Sequence, residues 1–136
     1  MEGPGQRLTA FLDTNVLIRH FTGEPRAQAR RAGELLASGE QLILTETVAA
    51  ECAFVLGSVY DLDRATVAAL MRTAIGFRNI DAPGEPRLLR ALELFAEGHG
   101  YVDSHLVACA EEAGATVASF DKGIDRIGTV RRIDRS

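Results

Sequence analysis

Short apolar runs alternate along the chain with longer stretches in which apolar positions recur at helical spacing. The runs have the length of buried strands and occupy residues 8–12, 41–45, 78–82, 116–120 and 130–133. The intervening stretches predict one helix after Asp13 and others at residues 24–38, 45–59, 63–77, 86–97 and 102–113. The order β-α-α-β-α-α-β-α-α-β-β predicts a three-layer α/β/α sandwich with a mostly parallel central sheet.

Length and composition favour one globular domain. A chain of 136 residues, 46% of them hydrophobic, suffices for a single core. We therefore predict one domain over residues 1–136, with a flexible start at residues 1–7. Because the start lacks an apolar signal core and no stretch reaches the length of a membrane span, we expect a soluble cytoplasmic protein without a membrane partner.

The charge balance and the cysteines limit which partners and which kinds of site are expected. The net charge of −4 gives no evidence of a nucleic-acid partner, because proteins that bind nucleic acid usually have a basic surface. It does not exclude one, since an enzyme that binds phosphate through a metal ion can be acidic overall. Cys52 and Cys109 lack a C-x-x-C spacing, which indicates neither a disulfide framework nor a thiolate zinc site.

Two aspartates follow directly on predicted strands. Asp13 comes after the first strand and Asp121 after the strand at 116–120, and the carboxyl ends of parallel strands are where such sheets place their ligands. Capping is the more common role for any single aspartate of this kind. Two of them at equivalent strand ends favour a shared site.

Two further acids lie on predicted helices. Glu51 has Thr47, Val48, Phe54 and Val55 three and four positions away, which predicts a carboxylate on or beside the core-facing stripe. Asp103 begins its helix, where an N-cap role and a functional role are equally compatible with the pattern. Glu46 is expected on the first exposed turn and is left out of the site.

Convergence of these four acids requires a positive partner. Each pair of carboxylates at 4 Å would repel by about 4 kcal/mol at an effective dielectric near 20. Lys122 is the only lysine in the chain, so a divalent cation is the natural neutraliser. Oxygen ligands favour a hard ion, Mg²⁺ or Mn²⁺.

The remaining titratable groups give weaker signals. His105 lies two positions beyond Asp103, about 200° around a helix, and like His20 and His99 it is expected to be a satisfied or exposed histidine. Arginines form two basic faces that suit RNA phosphate or a protein partner. These faces comprise Arg26, Arg30 and Arg31, and Arg131, Arg132 and Arg135.

The motifs around the four acids resemble the PIN domain family, and within it the VapC toxins of toxin–antitoxin systems. The resemblance rests on FLDTNVLI with Asp13, TVAAECAFVL with Glu51, GYVDSHLVACAEEAGA with Asp103, and VASFDKGIDRI with Asp121. It implies that the three aspartates bind the metal and that Glu51 positions or activates water.

The same resemblance implies a supporting shell and partners. Thr14, Asn15 and Ser119 would orient carboxylates or water, although Ser119 fits equally well as a serine bonded to backbone. The implied activity is a metal-dependent endoribonuclease acting on RNA. The implied partners are a second copy of the chain in a homodimer and a cognate VapB-like antitoxin. Glu46 departs mildly from the pattern, because relatives often carry a smaller or non-acidic residue there.

Three alternatives stay open. A catalytically silent PIN-like module would bind RNA or protein with all four acids present. A phosphoryl-transfer hydrolase would need a second aspartate two positions after Asp13, where Asn15 stands. A magnesium-binding receiver domain would need Asp81 as its phosphoacceptor, and LDTN lacks the acidic pair of that class.

Overall fold

The computed structural model of the chain describes residues 9–121, 123–124, 127–128 and 130–132. Five strands and six helices occur among them, in the order that the sequence pattern predicts. The elements are β1 (Thr9–Phe11), α1 (Thr14–Thr22), α2 (Arg26–Leu36), β2 (Gln41–Ile43), α3 (Glu46–Ser58), α4 (Arg64–Ile75), β3 (Ile80–Asp81), α5 (Glu85–Ala96), α6 (Tyr101–Ala113), β4 (Val117–Ser119) and β5 (Val130–Arg132). The predicted α/β/α class is confirmed.

The strands are parallel in every pairing. β1, β2 and β3 form one sheet in that order, with Ala10 opposite Leu42 and Leu42 opposite Ile80. β4 and β5 form a second, two-stranded parallel sheet. The strand pairing is therefore parallel, as predicted, but the described strands form two separate sheets, because short apolar runs indicate where strands lie and not which edges meet.

Two apolar clusters correspond to the two sheets. The larger one contains Leu42 of β2, which is fully buried between its neighbours, together with buried residues of α1, α3, α4 and α5. The smaller cluster joins Leu94, Val107, Val117 and Ile124 beneath β4. Each fully buried Leu or Val contributes roughly 1.5–3 kcal/mol relative to exposure. The expectation of one core is thus refined to a main core with a satellite.

Caps fix where the helices around the sheet begin. The Thr45 hydroxyl accepts a hydrogen bond from the Val48 N–H at 3.2 Å, and Asp63 accepts one from the Thr66 N–H at 2.7 Å. Both residues were predicted as first helical positions, and both lie just outside the helix as N-caps. Within the described residues, no helix is long and apolar enough to cross a membrane.

Candidate active site

Asp13 follows β1 and stands at the N-cap of α1 with an extended backbone, φ −85° and ψ 149°. An aspartate in this position ordinarily accepts a hydrogen bond from the second or third N–H of its helix. The Asp13 side chain makes no such cap bond, and the residue is exposed. The carboxylate is therefore not used as a cap, which removes the commonest structural reason for its presence.

Glu51 is joined to the start of α1 by a side-chain hydrogen bond. The hydroxyl of Thr14, a residue only 6% exposed, donates to Glu51 Oε1 across 37 positions of sequence. Thr14 is therefore a supporting residue whose contact the structure describes, and the contact links α1 to α3. It places one carboxylate oxygen of Glu51 beside Thr14, the residue that follows Asp13 in the sequence.

The prediction placed Glu51 on or beside the core-facing stripe, and the structure excludes the first of these two positions. The glutamate is exposed, and Phe54, which the pattern placed toward the core, is 65% exposed. The buried face of α3 consists instead of Ala49, Cys52, Ala53 and Leu56. Because this helix is apolar nearly all round, its spacing did not reveal which side faces inward.

Cys52 lies in the same neighbourhood as Asp13 and Glu51. Burial raises the pKa of its thiol to about 12, and the negative charges of Glu51 and Asp13 add to the rise. Its Sγ atom lies 3.9 Å from the carbonyl oxygen of Thr14. Thr14, which follows Asp13, contacts both Glu51 and Cys52, so the residues Asp13 and Glu51 flank this part of α3.

Asp103 lies in the first turn of α6 and is partly buried. The N-cap of this helix is Gly100, so the alternative that Asp103 caps the helix is wrong. Tyr101, two positions earlier, packs against the main core and lines one groove with Ala50 and Ala53 of α3, and burial raises the pKa of its hydroxyl to about 12. The turn that carries Asp103 therefore packs beside α3.

Asp121 lies two residues beyond β4 in a local turn. Its Oδ1 atom accepts a hydrogen bond from the Gly123 N–H at 2.8 Å, and its own N–H donates to the Ser119 hydroxyl at 2.9 Å. Ser119 is therefore bonded to backbone, one of the two roles considered for it. The turn fixes the Asp121 side chain while leaving its second oxygen out of these bonds.

The structure brings the predicted residues together only in part. Asp13, Thr14 and Glu51 form one neighbourhood, and the first turn of α6, which carries Asp103, packs beside α3. Among the described residues, however, the only group of three potential metal ligands within 4.8 Å of one another is Glu46, His105 and Cys109. The three aspartates do not form such a group, and no described pairing joins β4 to β1.

The residues present nevertheless fit a hard divalent cation. Mg²⁺ is usually bound through one or two carboxylates and several waters, so it does not need three acids in mutual contact. Asp13 offers a carboxylate free of a cap bond, and Asp103 offers a second one in the first turn of α6. Asn15, the third supporting residue of the prediction, is exposed on a separate groove of about 370 Å³ between α1 and α2.

A network that the sequence analysis missed lies beside these residues. Glu46 is partly buried, with 25% of its side chain exposed, and pairs with Arg87 of α5 at 2.5 Å. His105 Nε2 lies 2.6 Å from Glu46 Oε1. Glu46 lies on the first turn of α3, as predicted, but it is partly buried and not exposed, whereas the expectation of a satisfied His105 is met. No local pattern signals a partner 41 positions away.

We expect the network to make folding stability depend on pH through Glu46. The Arg87 hydrogen bond, and secondarily His105, hold the pKa of this carboxyl below its ordinary value of 4.5. A lowered folded-state pKa contributes stability above the ordinary value, and that contribution is lost as pH falls through the folded-state pKa. Urea unfolding from pH 7 to pH 3 should show a smaller loss of stability for Glu46→Gln than for the parent protein.

Glu97→Gln is the matched control for this prediction, because Glu97 is an exposed glutamate at the end of α5. Its pH profile of unfolding free energy should parallel that of the parent. Parallel profiles for Glu46→Gln as well would show that the Arg87 contact does not act in solution.

Basic and apolar surfaces flank the site. Arg26, Arg30 and Arg31 are exposed on α2, as the pattern predicts, whereas the side chains of Arg131, Arg132 and Arg135 lie outside the described residues. An apolar groove of about 660 Å³ runs between α3 and the first turn of α6. Phe54 and Val102 on its margin are 65% and 69% exposed, so this groove is a candidate for contact with another protein.

Comparisons with known proteins place the chain among its relatives. The family model for the PIN domain matches residues 10–130. One similar solved structure is VapBC2 from Rickettsia felis bound to a DNA fragment from its promoter, with 18% identity and a TM-score of 0.39 over 93% of this chain and 100% of that one. No curated protein matches the chain.

Proposed function

The chain belongs to the PIN domain family, and from this membership we propose that it is a divalent-metal-dependent endoribonuclease that hydrolyses RNA phosphodiester bonds. The observation that carries the proposal is the Asp13–Thr14–Glu51 neighbourhood at the carboxyl end of β1. It combines an exposed aspartate without a cap bond and a glutamate held by a buried threonine. The magnesium-binding receiver and the aspartyl phosphoryl-transfer enzyme are not adopted, because they belong to other families.

In this proposal Asp13, Asp103 and Asp121 hold Mg²⁺ or Mn²⁺, and Glu51 acts on water. A bound ion of this class polarises phosphoryl oxygen and offsets charge on the leaving oxygen. Glu51 is suited to accept the proton of an attacking water, because one of its oxygens accepts from Thr14 while the other remains available. The Asp121 turn would hold its carboxylate in a fixed orientation.

The test is cleavage of total RNA by the purified protein with Mg²⁺, with Mn²⁺ and with a chelator. We expect cleavage with either ion and none with the chelator. Cleavage that survives the chelator would contradict the proposal.

A specific observation favours a second candidate, a catalytically silent RNA-binding module, because the three aspartates do not converge within 4.8 Å. RNA binding without cleavage under both ions would support that candidate.

Thr14→Val should impair cleavage without unfolding the protein. The substitution keeps the volume of a buried side chain and removes the hydroxyl that donates to Glu51. Loss of a group that orients a functional side chain typically costs about 10- to 100-fold in activity. Thr14→Ser, which keeps the hydroxyl, should retain more activity in a single-turnover assay. Equal rates for the two variants would remove Thr14 from the site.

We further propose that the protein is a homodimeric VapC-type toxin held inactive by a VapB-like antitoxin. The motifs around the four acids support this role, and the apolar groove with Phe54 and Val102 offers a surface on which a protein partner could bury apolar area. Light scattering should give twice the chain mass. Co-expression with the product of a small neighbouring reading frame should yield a complex that no longer cleaves RNA, and free coexistence of both chains would contradict the role.

A further inference from the structure

Glu46, His105 and Cys109 bring three different donor atoms to one place outside the four predicted acids. Glu46 begins α3, whereas His105 and Cys109 lie one turn apart on α6, and one donor of each lies within 4.8 Å of the other two. All three residues are partly buried. We propose that they form a binding site for a borderline transition metal ion of the Zn²⁺ class.

The donor set selects this class of ion. Thiolate, imidazole and carboxylate are the ligands of Zn²⁺, whereas the hard ions take oxygen alone. His105 Nε2 and Cys109 Sγ are 3.8 Å apart, and the same two atoms around a tetrahedral zinc would be about 3.5 Å apart from ordinary bond lengths. Glu46 Oε1, now 2.6 Å from Nε2, would need to withdraw by less than about 1 Å.

The hydrogen bonds among Glu46, His105 and Cys109 leave the Cys109 sulfur without a proton donated by His105. Glu46 Oε1 and the Cys109 sulfur both face the same ring nitrogen, Nε2. This nitrogen carries at most one proton, so a well-directed bond to the carboxylate leaves the sulfur without one. A single cation of this class would bind all three atoms, with the ring proton on Nδ1 and the thiol proton released to solvent. The shared nitrogen also excludes a cysteine nucleophile with a histidine relay, which needs the acid and the sulfur on opposite ring nitrogens.

Two neighbours hold the donors in position before any ion binds. The Tyr101 ring stacks on the His105 ring at 6.2 Å with an interplanar angle of 14°. Gly84 lies against the Glu46–Arg87 pair, and a Cβ there would come within 2.9 Å of Glu46 Oε2. Ring and carboxylate are thus confined, which lowers the ordering cost of binding.

Arg87 competes with the proposed ion for Glu46. Its Nε donates to Oε1 at 2.7 Å and its Nη2 to Oε2 at 2.5 Å. An ion bound at Oε1 would displace the first of these bonds while the second is kept. Removing the guanidinium should therefore strengthen metal binding, which distinguishes this site from one where Arg87 only supports the fold.

The test is a titration of the full chain with Co²⁺, whose bond to a thiolate gives a near-ultraviolet charge-transfer band. We expect this band at one equivalent, and we expect Zn²⁺ to abolish it. Cys109→Ser should lose the band, whereas the control Cys52→Ser should keep it, because Cys52 is on the core face of α3. His105→Gln should weaken binding by at least about 10-fold, and Arg87→Met should tighten it. An unchanged affinity in Arg87→Met would remove Glu46 from the ligand set.

A second measurement needs no variant and so does not depend on variants that fold. Zn²⁺ should slow the alkylation of Cys109 in the parent protein, measured by peptide mass spectrometry. Equal rates with and without Zn²⁺, or a thiolate band that persists in Cys109→Ser, would overturn the proposed site. Asp13→Asn should leave the Co²⁺ band unchanged, so failure of the proposed nuclease and failure of this site are separate outcomes.

Discussion

Asp13→Asn should abolish metal-dependent cleavage of RNA while the protein stays folded. Asp13 is an exposed residue whose carboxylate makes no cap hydrogen bond, so replacing it by the nearly isosteric amide removes charge without removing a structural contact. Loss of a group that only orients a metal ligand already costs about 10- to 100-fold. Loss of a proposed ligand itself should therefore reduce the single-turnover rate at saturating Mg²⁺ by more than about 100-fold.

Asp81→Asn is the matched control for this variant. Asp81 is an exposed aspartate at the carboxyl end of β3 in the same sheet, and it is the residue that a receiver domain would use as phosphoacceptor. Its replacement should leave cleavage unchanged. Equal activity of Asp13→Asn and the parent would place the catalytic centre elsewhere or reveal a contaminating nuclease.

Leu88→Ala should strongly destabilise the fold. The leucine side chain is fully buried in the main cluster, on the inner face of α5. Truncation of a buried leucine to alanine costs about 2–5 kcal/mol, because the lost transfer free energy is joined by the free energy of the cavity left behind. A domain of this size has only about 5–15 kcal/mol of stability, so urea unfolding should show a large shift in midpoint.

The neighbouring residue provides the control. Leu89 lies one position along the same helix and is 36% exposed, so Leu89→Ala changes helix composition in the same way without opening a core cavity. It should cost less than about 1 kcal/mol, since surface substitutions fall near ±0.5 kcal/mol. Similar losses for the two variants would show that α5 does not pack on the core through Leu88.

The order of the strands and helices was predictable because each of them has a local signal in the sequence. Thr45 and Asp63 mark helix starts within one residue, and their side-chain oxygens accept hydrogen bonds from the first turn of each helix. Short apolar runs marked all five strands, within a residue or two of their observed bounds. These signals act over a few residues, so a sequence read locally contains them.

Contacts between distant segments were not predictable in the same way. The Glu46–Arg87 pair joins α3 to α5 and leaves no trace in the spacing of either helix. The exposed side of α3 was misjudged because apolar residues surround it, and Phe54 faces solvent despite its hydrophobic character. Which acids converge depends on how the two sheets are placed, and strand patterns do not contain that information.

The four acids Asp13, Glu51, Asp103 and Asp121 include both predictable positions and contacts that were not predictable. That Asp13 and Asp121 follow strands was readable from their apolar neighbours, and the structure places both there. That Thr14 would hold Glu51 required the packing of α1 against α3. Metal binding by the three aspartates stays a prediction, since Asp13, Asp103 and Asp121 are not within mutual contact distance.

Calorimetric titration with Mg²⁺ measures whether Asp13 and Asp103 bind a hard ion, because such an ion avoids the thiolate of Cys109. Heat of binding is expected for the parent and for Asp81→Asn, and a loss of binding for Asp13→Asn and for Asp103→Asn. Absence of any Mg²⁺ uptake by the parent, or equal uptake by all four proteins, would overturn metal binding at these aspartates.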